Sequence, residues 1–264
     1  MNAPAPQSGN SREDEVWRRL ATVSDPELDE SVADMGFVDS VELGAAGEVR
    51  IGFRLPTFWC APNFAFLMAH DMRRAVESLP WVSRAIIHLA DHCHAKEINR
   101  GVGAGLSFSD SFPGQAMDEL DKLRATFRRK AFQRRQELLL RRLRTAGVTP
   151  ENLCEMTMGE LAALRLDDAE TPHLRARYVE IRGEFGGPAA AEDLAFTTDT
   201  GGALDADGFA GYLQDLRRVR VNAEFNANMC RSILQTRYAG KATGKSTGKS
   251  TGKSTEKSTE KSDD

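Results

Sequence analysis

The sequence predicts an α+β fold in which a small α-β-β-α-β domain precedes an all-helical accessory domain and a disordered tail. Three observations carry this. The runs "FVDSVEL" (37–43) and "VRIGFRL" (49–55) read as two strands around the turn "GAAGE". A helical apolar pattern over 62–79 is followed by a third strand-like run, "WVSRAIIHLADH" (81–92). From residue 115 onward the apolar spacing is helical. The boundaries are then a flexible N-terminus over 1–13, a first domain over 14–100, a linker over 101–114, the helical domain over 115–240 and a low-complexity tail over 241–264.

Taken in order, "EDEVWRRLATVS" (13–24) sets Val16, Leu20 and Val23 on one helical face, and "DPELDESVADMGFV" follows as a turn with a short helical piece. In the second strand Val49, Ile51, Phe53 and Leu55 alternate with Arg50, Gly52 and Arg54, the pattern of a hairpin with one wet face. Pro62 suits a first helical turn, and Phe64, Leu67, Met68, Met72, Ala75, Val76 and Leu79 recur at helical spacing. A strand-helix-strand unit within one sheet is a parallel crossover. The residues just after strands two and three therefore emerge at the same sheet edge, bringing Cys60 near "DHCH" (91–94).

"GVGAGLSFSDSFPG" (101–114), rich in Gly and Ser, reads as a connection, and its glycines do not form a dinucleotide-binding pattern. The stretch 115–145 reads as one long helix with Leu120, Leu123, Phe127, Ala131, Leu138 and Leu139 on its apolar side. Thr149 and Thr157 stand as caps of two short helices, a further helix begins at Thr171-Pro172, and the longest runs over about 205–238. Cys154 and Cys230 fall within apolar patterns and read as packing residues. Asp205, Asp207 and Gly208 resemble part of a calcium loop, but Ala203 and Gln214 occupy positions that need ligands.

The 264 residues are 41% hydrophobic and 28% charged, with net charge −4. That composition suffices for one large domain or two modest ones. No apolar run approaches the roughly 20 residues of a membrane span, and "MNAPAPQSGNSRED" has neither a basic nor an apolar leader region, so a cytoplasmic location is expected. Four dispersed cysteines without a C-x-x-C pair make neither a disulfide framework nor a zinc knuckle. Charge alternates along the chain: acidic to residue 98, basic over 99–148, acidic over 149–240, and weakly basic in the tail. The tail repeats "GKST" with no apolar residue after Ala242, which imitates the end of a phosphate loop without its glycine spacing or flanking elements.

The basic helix has three readings: a solvated face neutralised by the chain's own acids, a docking face for an acidic protein, or a contact to phosphates or membrane. No aromatic-rich strand or nucleic-acid motif accompanies it, which argues against nucleic acid. Arg128, Arg129, Arg134 and Arg135 are the residues a protein partner would meet.

Cys60 likewise has three readings. At a helix N-terminus its thiol feels the dipole and free N–H groups that favour thiolate, the form that binds iron or zinc. The same activation serves a nucleophile, with His70, His92 or His94 as base. The third reading is a small packing residue. His92, Cys93 and His94 form the densest group of metal-ligating side chains in the sequence, and with Cys60 they would make an open site. The alternative for these residues is a polar strand end whose histidines meet water or backbone carbonyls.

Asp25-Pro26-Glu27, the segment "SVADMGFV", and a cysteine a few residues past strand two together resemble the iron-sulfur cluster assembly domain family, whose members include PaaD-like and SufT-like (MIP-eighteen-type) proteins. The likeness covers about residues 14–92. It implies an α+β domain acting in cluster assembly, with Cys60 as its functional cysteine and Asp25, Pro26, Glu27 and Thr57 in its motif. Trp59 before the cysteine and Ala61 between it and Pro62 depart from the family pattern. The resemblance further implies an assembly or maturation factor rather than an enzyme. It would transiently hold iron or an iron-sulfur cluster through Cys60 and pass it to a client metalloprotein with the help of other assembly factors. The alternatives are maturation of a non-haem iron oxygenase, a metal-free protein-binding adaptor, and a homodimer in which two copies of Cys60 share one cluster.

Overall fold

The computed structural model describes residues 11–239, apart from 115, 116, 167, 186 and 188 and the side chains of 117–121. The expectations for residues 1–10, for Leu120 and for the repeat tail lie outside the described residues.

Helix α1 (Arg12–Leu20) begins at a capping box in which the Ser11 hydroxyl accepts from the Asp14 N–H and the Asp14 carboxylate accepts from the Ser11 N–H. Its apolar face buries Val16 and Leu20. Strands β1 (Val38–Leu43) and β2 (Glu48–Arg54) form an antiparallel hairpin with Val41 opposite Ile51 and an irregularity between Val38 and Ser40. Gly47 in the turn has φ +80°, and a Cβ there would lie 2.4 Å from the Trp81 carbonyl, so the turn requires glycine. Helix α2 (Pro62–Glu77) starts with Pro62 in its first turn and returns the chain to β3 (Arg84–Ala90). β3 lies parallel to β2, from Glu48 opposite Arg84 to Arg54 opposite Ala90. The sheet order is β1-β2-β3. Val49, Ile51 and Phe53 of β2 and Ala85, Ile87 and Leu89 of β3 point into one core with Phe66, Met68, Met72 and Val76 of α2.

The stretch read as a linker is part of that core. Residues 101–104 complete α3 (Ala95–Ala104), and α4 (Phe108–Ser111) follows. Phe108 and Phe112 bury in the first core and stack at 4.7 Å between ring centroids. A Cβ on Gly101 would meet the Ser111 Oγ at 2.0 Å. The glycine that suggested flexibility is there so that two helices can touch.

Helices α5 (Met117–Thr145), α6 (Pro150–Glu155), α7 (Met158–Ala163), α8 (Glu170–Arg182) and α9 (Phe209–Tyr238) complete the described elements. Thr149 and Thr157 cap α6 and α7, each hydroxyl accepting a backbone N–H three residues on. A second core gathers Phe132, Leu139, Leu140 and Leu143 of α5 with Tyr178 and Ile181 of α8 and Phe209 and Leu216 of α9. α9 serves both cores, since Ala227 and Leu234 farther along it bury in the first. No described helix is long and apolar enough to cross a membrane.

The basic helix does not present one solvated face. From Ala131 to Leu140 nearly every residue of α5 is buried, including Arg134, Arg135, Gln136 and Glu137. Arg135 clasps the Asp29 carboxylate with two parallel bonds, Nη2 to Oδ1 at 2.7 Å and Nε to Oδ2 at 2.9 Å. Arg134 donates to the Leu28 carbonyl (2.8 Å) and to Glu30 (2.6 Å), and Arg177 of α8 donates to the Asp29 carbonyl (2.7 Å). Burial alone would lower the pKa of Arg135, but hydrogen bonds and charge from Asp29 and Glu180 outweigh it and the guanidinium is held more firmly protonated. Arg134 and Arg135 are thus not available to a partner: the chain's own acidic loop occupies them. Arg128 pairs with Glu184 and Arg129 with Asp199, both on the surface.

Arg135→Ala strips both parallel bonds from the buried Asp29 carboxylate and leaves it to the Arg177 guanidinium at 3.0 Å, so it should lower unfolding free energy by about 3 kcal/mol, the low end of the cost of breaking a buried pair. Arg129→Ala, at an exposed pair, should change it by less than about 1 kcal/mol. Urea denaturation of the two variants beside the parent chain distinguishes these outcomes.

Candidate functional site

The loop after β2 and the turn after β3 meet at one edge of the sheet, as the parallel pairing requires. The Cys93 N–H donates to the Phe58 carbonyl at 2.8 Å, and His92 Nε2 donates to the Cys60 carbonyl at 2.8 Å. The expected meeting of Cys60 with residues 91–94 is therefore observed, but through backbone rather than through a cluster of ligands. The second ring nitrogen of His92, Nδ1, accepts the His94 N–H at 3.1 Å. Both nitrogens are committed, which fixes a neutral imidazole with its proton on Nε2. Burial also pushes the His92 pKa down, against the opposing pull of the Cys60 carbonyl.

His92 is thus a pin between two loops and not an available ligand, the arrangement in which a strand-end histidine meets a backbone carbonyl. Among the described residues no group of three or more His, Cys, Asp or Glu side chains is placed to hold a metal ion. Cys93 is exposed and His94 half-buried, with His94 Nδ1 4.0 Å from Glu97.

Cys60 is half-buried, two residues ahead of the start of α2, and its Sγ lies 3.1 Å from the Thr57 hydroxyl. Phe58 and Trp59 beside it are exposed large apolar side chains. The Asp25-Pro26-Glu27 turn is built by Asp25 itself, whose Oδ1 accepts the N–H groups of Glu27 and Leu28 at 2.9 Å each. Burial raises the Asp25 pKa from 3.8 to about 6 even though those two bonds favour the charged form.

Cys230 is the packing residue that its apolar pattern suggests. It packs on the first core from α9, and burial pushes its thiol up to about 11, reinforced by the charges of Asp25, Cys60 and Glu27. The same helix end clips both loops of the site. Arg237 donates to the Leu55 carbonyl at 3.2 Å and to the Asp91 carbonyl at 3.0 Å, and the Tyr238 hydroxyl donates to Asp91 Oδ2 at 3.0 Å. The spacing of Ala227, Cys230, Leu234 and Tyr238 was the available signal, one stripe of a helix, but nothing local says which core that stripe faces.

Because Asp25 is a stronger proton binder folded than unfolded, its ionisation subtracts stability as pH rises from about 4 through about 6. Asp25→Asn keeps the oxygen that the two N–H groups need. The variant should gain about 1–3 kcal/mol at pH 7.5 and lose that part of the pH dependence, as read by denaturant unfolding across pH 4 to 8.

The comparisons with known proteins concern the N-terminal unit. A family described as iron-sulfur cluster assembly protein matches residues 13–87, the stretch from α1 into β3. An uncharacterized protein of Methanocaldococcus jannaschii is 31% identical over 86 residues, which cover 33% of this chain and 88% of that protein. An Fe-S protein maturation auxiliary factor of Porphyromonas gingivalis is 37% identical over 79 residues, 29% of this chain and 71% of its own length. No solved structure matches the chain significantly. Through its N-terminal unit, the α1-to-β3 fold that carries the Asp25 turn and Cys60, this chain belongs to the iron-sulfur cluster assembly protein family.

Proposed function

We propose that the protein is an iron-sulfur maturation factor that takes iron or a cluster as transient cargo at Cys60 and passes it to a client metalloprotein. The observation that carries this reading is the placement of the Cys60 thiol. It is half-buried at the sheet edge just ahead of α2, held by Thr57, beside the exposed Phe58 and Trp59. A single thiol on such a ledge leaves the other coordination positions of a bound metal to come from elsewhere, which suits transfer better than storage. Cys93 and His94, on the adjoining turn, are the candidates to assist, because His92 is committed to the backbone. The family membership supplies the chemistry of the cargo. The relative named a maturation factor supports delivery to another protein as the outcome. Thr57, Asp25, Pro26 and Glu27 then act as positioning residues, and no substrate is turned over.

Client choice falls to the surface that the family unit lacks. Arg128 and Arg129 line a cleft of about 1040 Å³ between the Asp25–Asp34 loop, α5 and α8. Both already pair with the chain's own acids, Glu184 and Asp199, but at exposed positions where an acidic partner can compete for them. A second reading, a protein-binding adaptor without cargo, draws on the lack of a three-ligand cluster among the described residues.

Anaerobic incubation with iron and sulfide, followed by desalting, iron analysis and a visible spectrum, separates the two. The maturation reading expects iron and visible absorbance in the parent protein and their loss in Cys60→Ser, with Cys93→Ser retaining at least part. Equal retention by the parent and Cys60→Ser removes Cys60 as the carrier and moves the cargo to other ligands, whereas retention by neither leaves the adaptor.

A further inference from the structure

A second thiol stands at the rim of the family unit. Helix α9 meets that unit along one stripe, and two of its polar contacts bracket Cys230. Asn226, one turn before it, donates to Glu27 Oε1 at 3.5 Å, and Arg237, two turns after it, donates to the Leu55 carbonyl at 3.2 Å. At 3.6 residues per turn these two side chains lie within about 40° of Cys230 around the helix, about 6 Å before it and about 10 Å beyond it along the axis. Cys230 therefore faces the gap between the Asp25-Pro26-Glu27 turn and the loop that leads from β2 to Cys60. Both thiols are half-buried against the first core. The charges of Asp25, of Cys60 and of Glu27 all act on the Cys230 sulfur, so these groups share one neighbourhood.

Packing explains the apolar side of Cys230, where Leu234 and Ala227 bury in the same core at about 40° and 60° around the helix. The other side faces carboxylates and a second sulfur. Such surroundings disfavour a thiolate by itself and favour one beside a cation. Paired thiolates are the soft ligands that iron takes.

We propose that Cys230 is a second ligand of the cargo site, so that iron brought to Cys60 is bridged by two thiolates, one from the loop after β2 and one from α9. The inference rests on the maturation reading above and adds to it a ligand from outside residues 13–87, the stretch that the family covers. Binding of ferrous iron is balanced by the loss of one proton from each thiol to solvent: two S–H bonds break, two Fe–S bonds form, and the iron stays ferrous. The remaining coordination positions stay open to sulfide, water or a client's side chains. Helix α9 is then part of the cargo site itself.

The test uses the full-length chain under anaerobic conditions, with cobalt(II) alone as a spectroscopic stand-in for ferrous iron. Thiolate-to-cobalt charge-transfer absorbance grows with the number of thiolates on the metal. A Cys93→Ser background leaves Cys60 and Cys230 as the thiols at this edge. In that background Cys230→Ala, Cys230→Ser and Cys60→Ser should each keep about half of the absorbance at saturating cobalt, with circular dichroism and melting temperature showing an intact fold. Without any metal, dibromobimane, which fluoresces when it bridges two neighbouring thiols, should join Cys60 to Cys230, as located by peptide mass. Full absorbance in the Cys230 variants alongside a loss in Cys60→Ser overturns this proposal and leaves the maturation reading standing. No cobalt absorbance with or without Cys93→Ser, or absorbance untouched by Cys60→Ser, overturns both. Failure of dibromobimane to join the two cysteines in the folded chain overturns the proposal even where the Cys230 variants lose metal or unfold, because that loss then comes from damaged packing.

Discussion

The clasp of Arg135 on Asp29 is the contact on which the rest of the molecule depends. Asp29 stands at the tip of the loop after Asp25-Pro26-Glu27 with φ +50°, a backbone conformation that needs outside support in a residue other than glycine. That support comes from α5 and α8, whose arginines take both oxygens of its carboxylate and its carbonyl. Glu30, next in sequence, is shared between Arg134 of α5 and Arg231 of α9. Three helices of the C-terminal part thus grip one acidic turn of the family unit. The desolvation of so many charges is offset only because nearly every donor has an acceptor, and the arrangement fixes geometry more than it adds stability.

The same turn leads into the functional region. Asp25 begins it, and its carboxyl is held where burial works against ionisation. On the far side of the sheet edge His92 ties the Cys60 loop to the turn after β3, and Arg237 and Tyr238 tie both to the end of α9. The half-buried Cys60 thiol stands on the rim that these contacts tie together.

Much of this was legible in the residues. The alternation of Val49, Ile51 and Phe53 is a property of each strand alone, so the hairpin and the strand-helix-strand unit could be read locally, and the parallel register followed from connection geometry. The meeting of Cys60 with residues 91–94 came with it. What could not be read was the use to which long-range neighbours put a side chain. Arg134 and Arg135 look like solvent-facing charge because their partners lie 105 or so residues away on a loop of the other unit. His92 looks like a ligand until the Cys60 carbonyl and the His94 N–H are seen to occupy both of its nitrogens. Gly101 and Gly103 suggest slack because composition does not distinguish a glycine that lets chain move from one that lets helices touch; Gly101 is the second kind.

Helix α9, about 45 Å long at 1.5 Å per residue, forms part of the wall of both cores. During synthesis the family unit leaves the ribosome first, yet the wall that covers its Asp25 side is made last. For the time it takes to add roughly 140 residues, at a rate of about 5–20 per second, the newborn sheet and its acidic turn stand without the helices that hold them. The order of translation therefore sets the acidic turn of the first unit in place before the arginines that grip it in the finished chain exist.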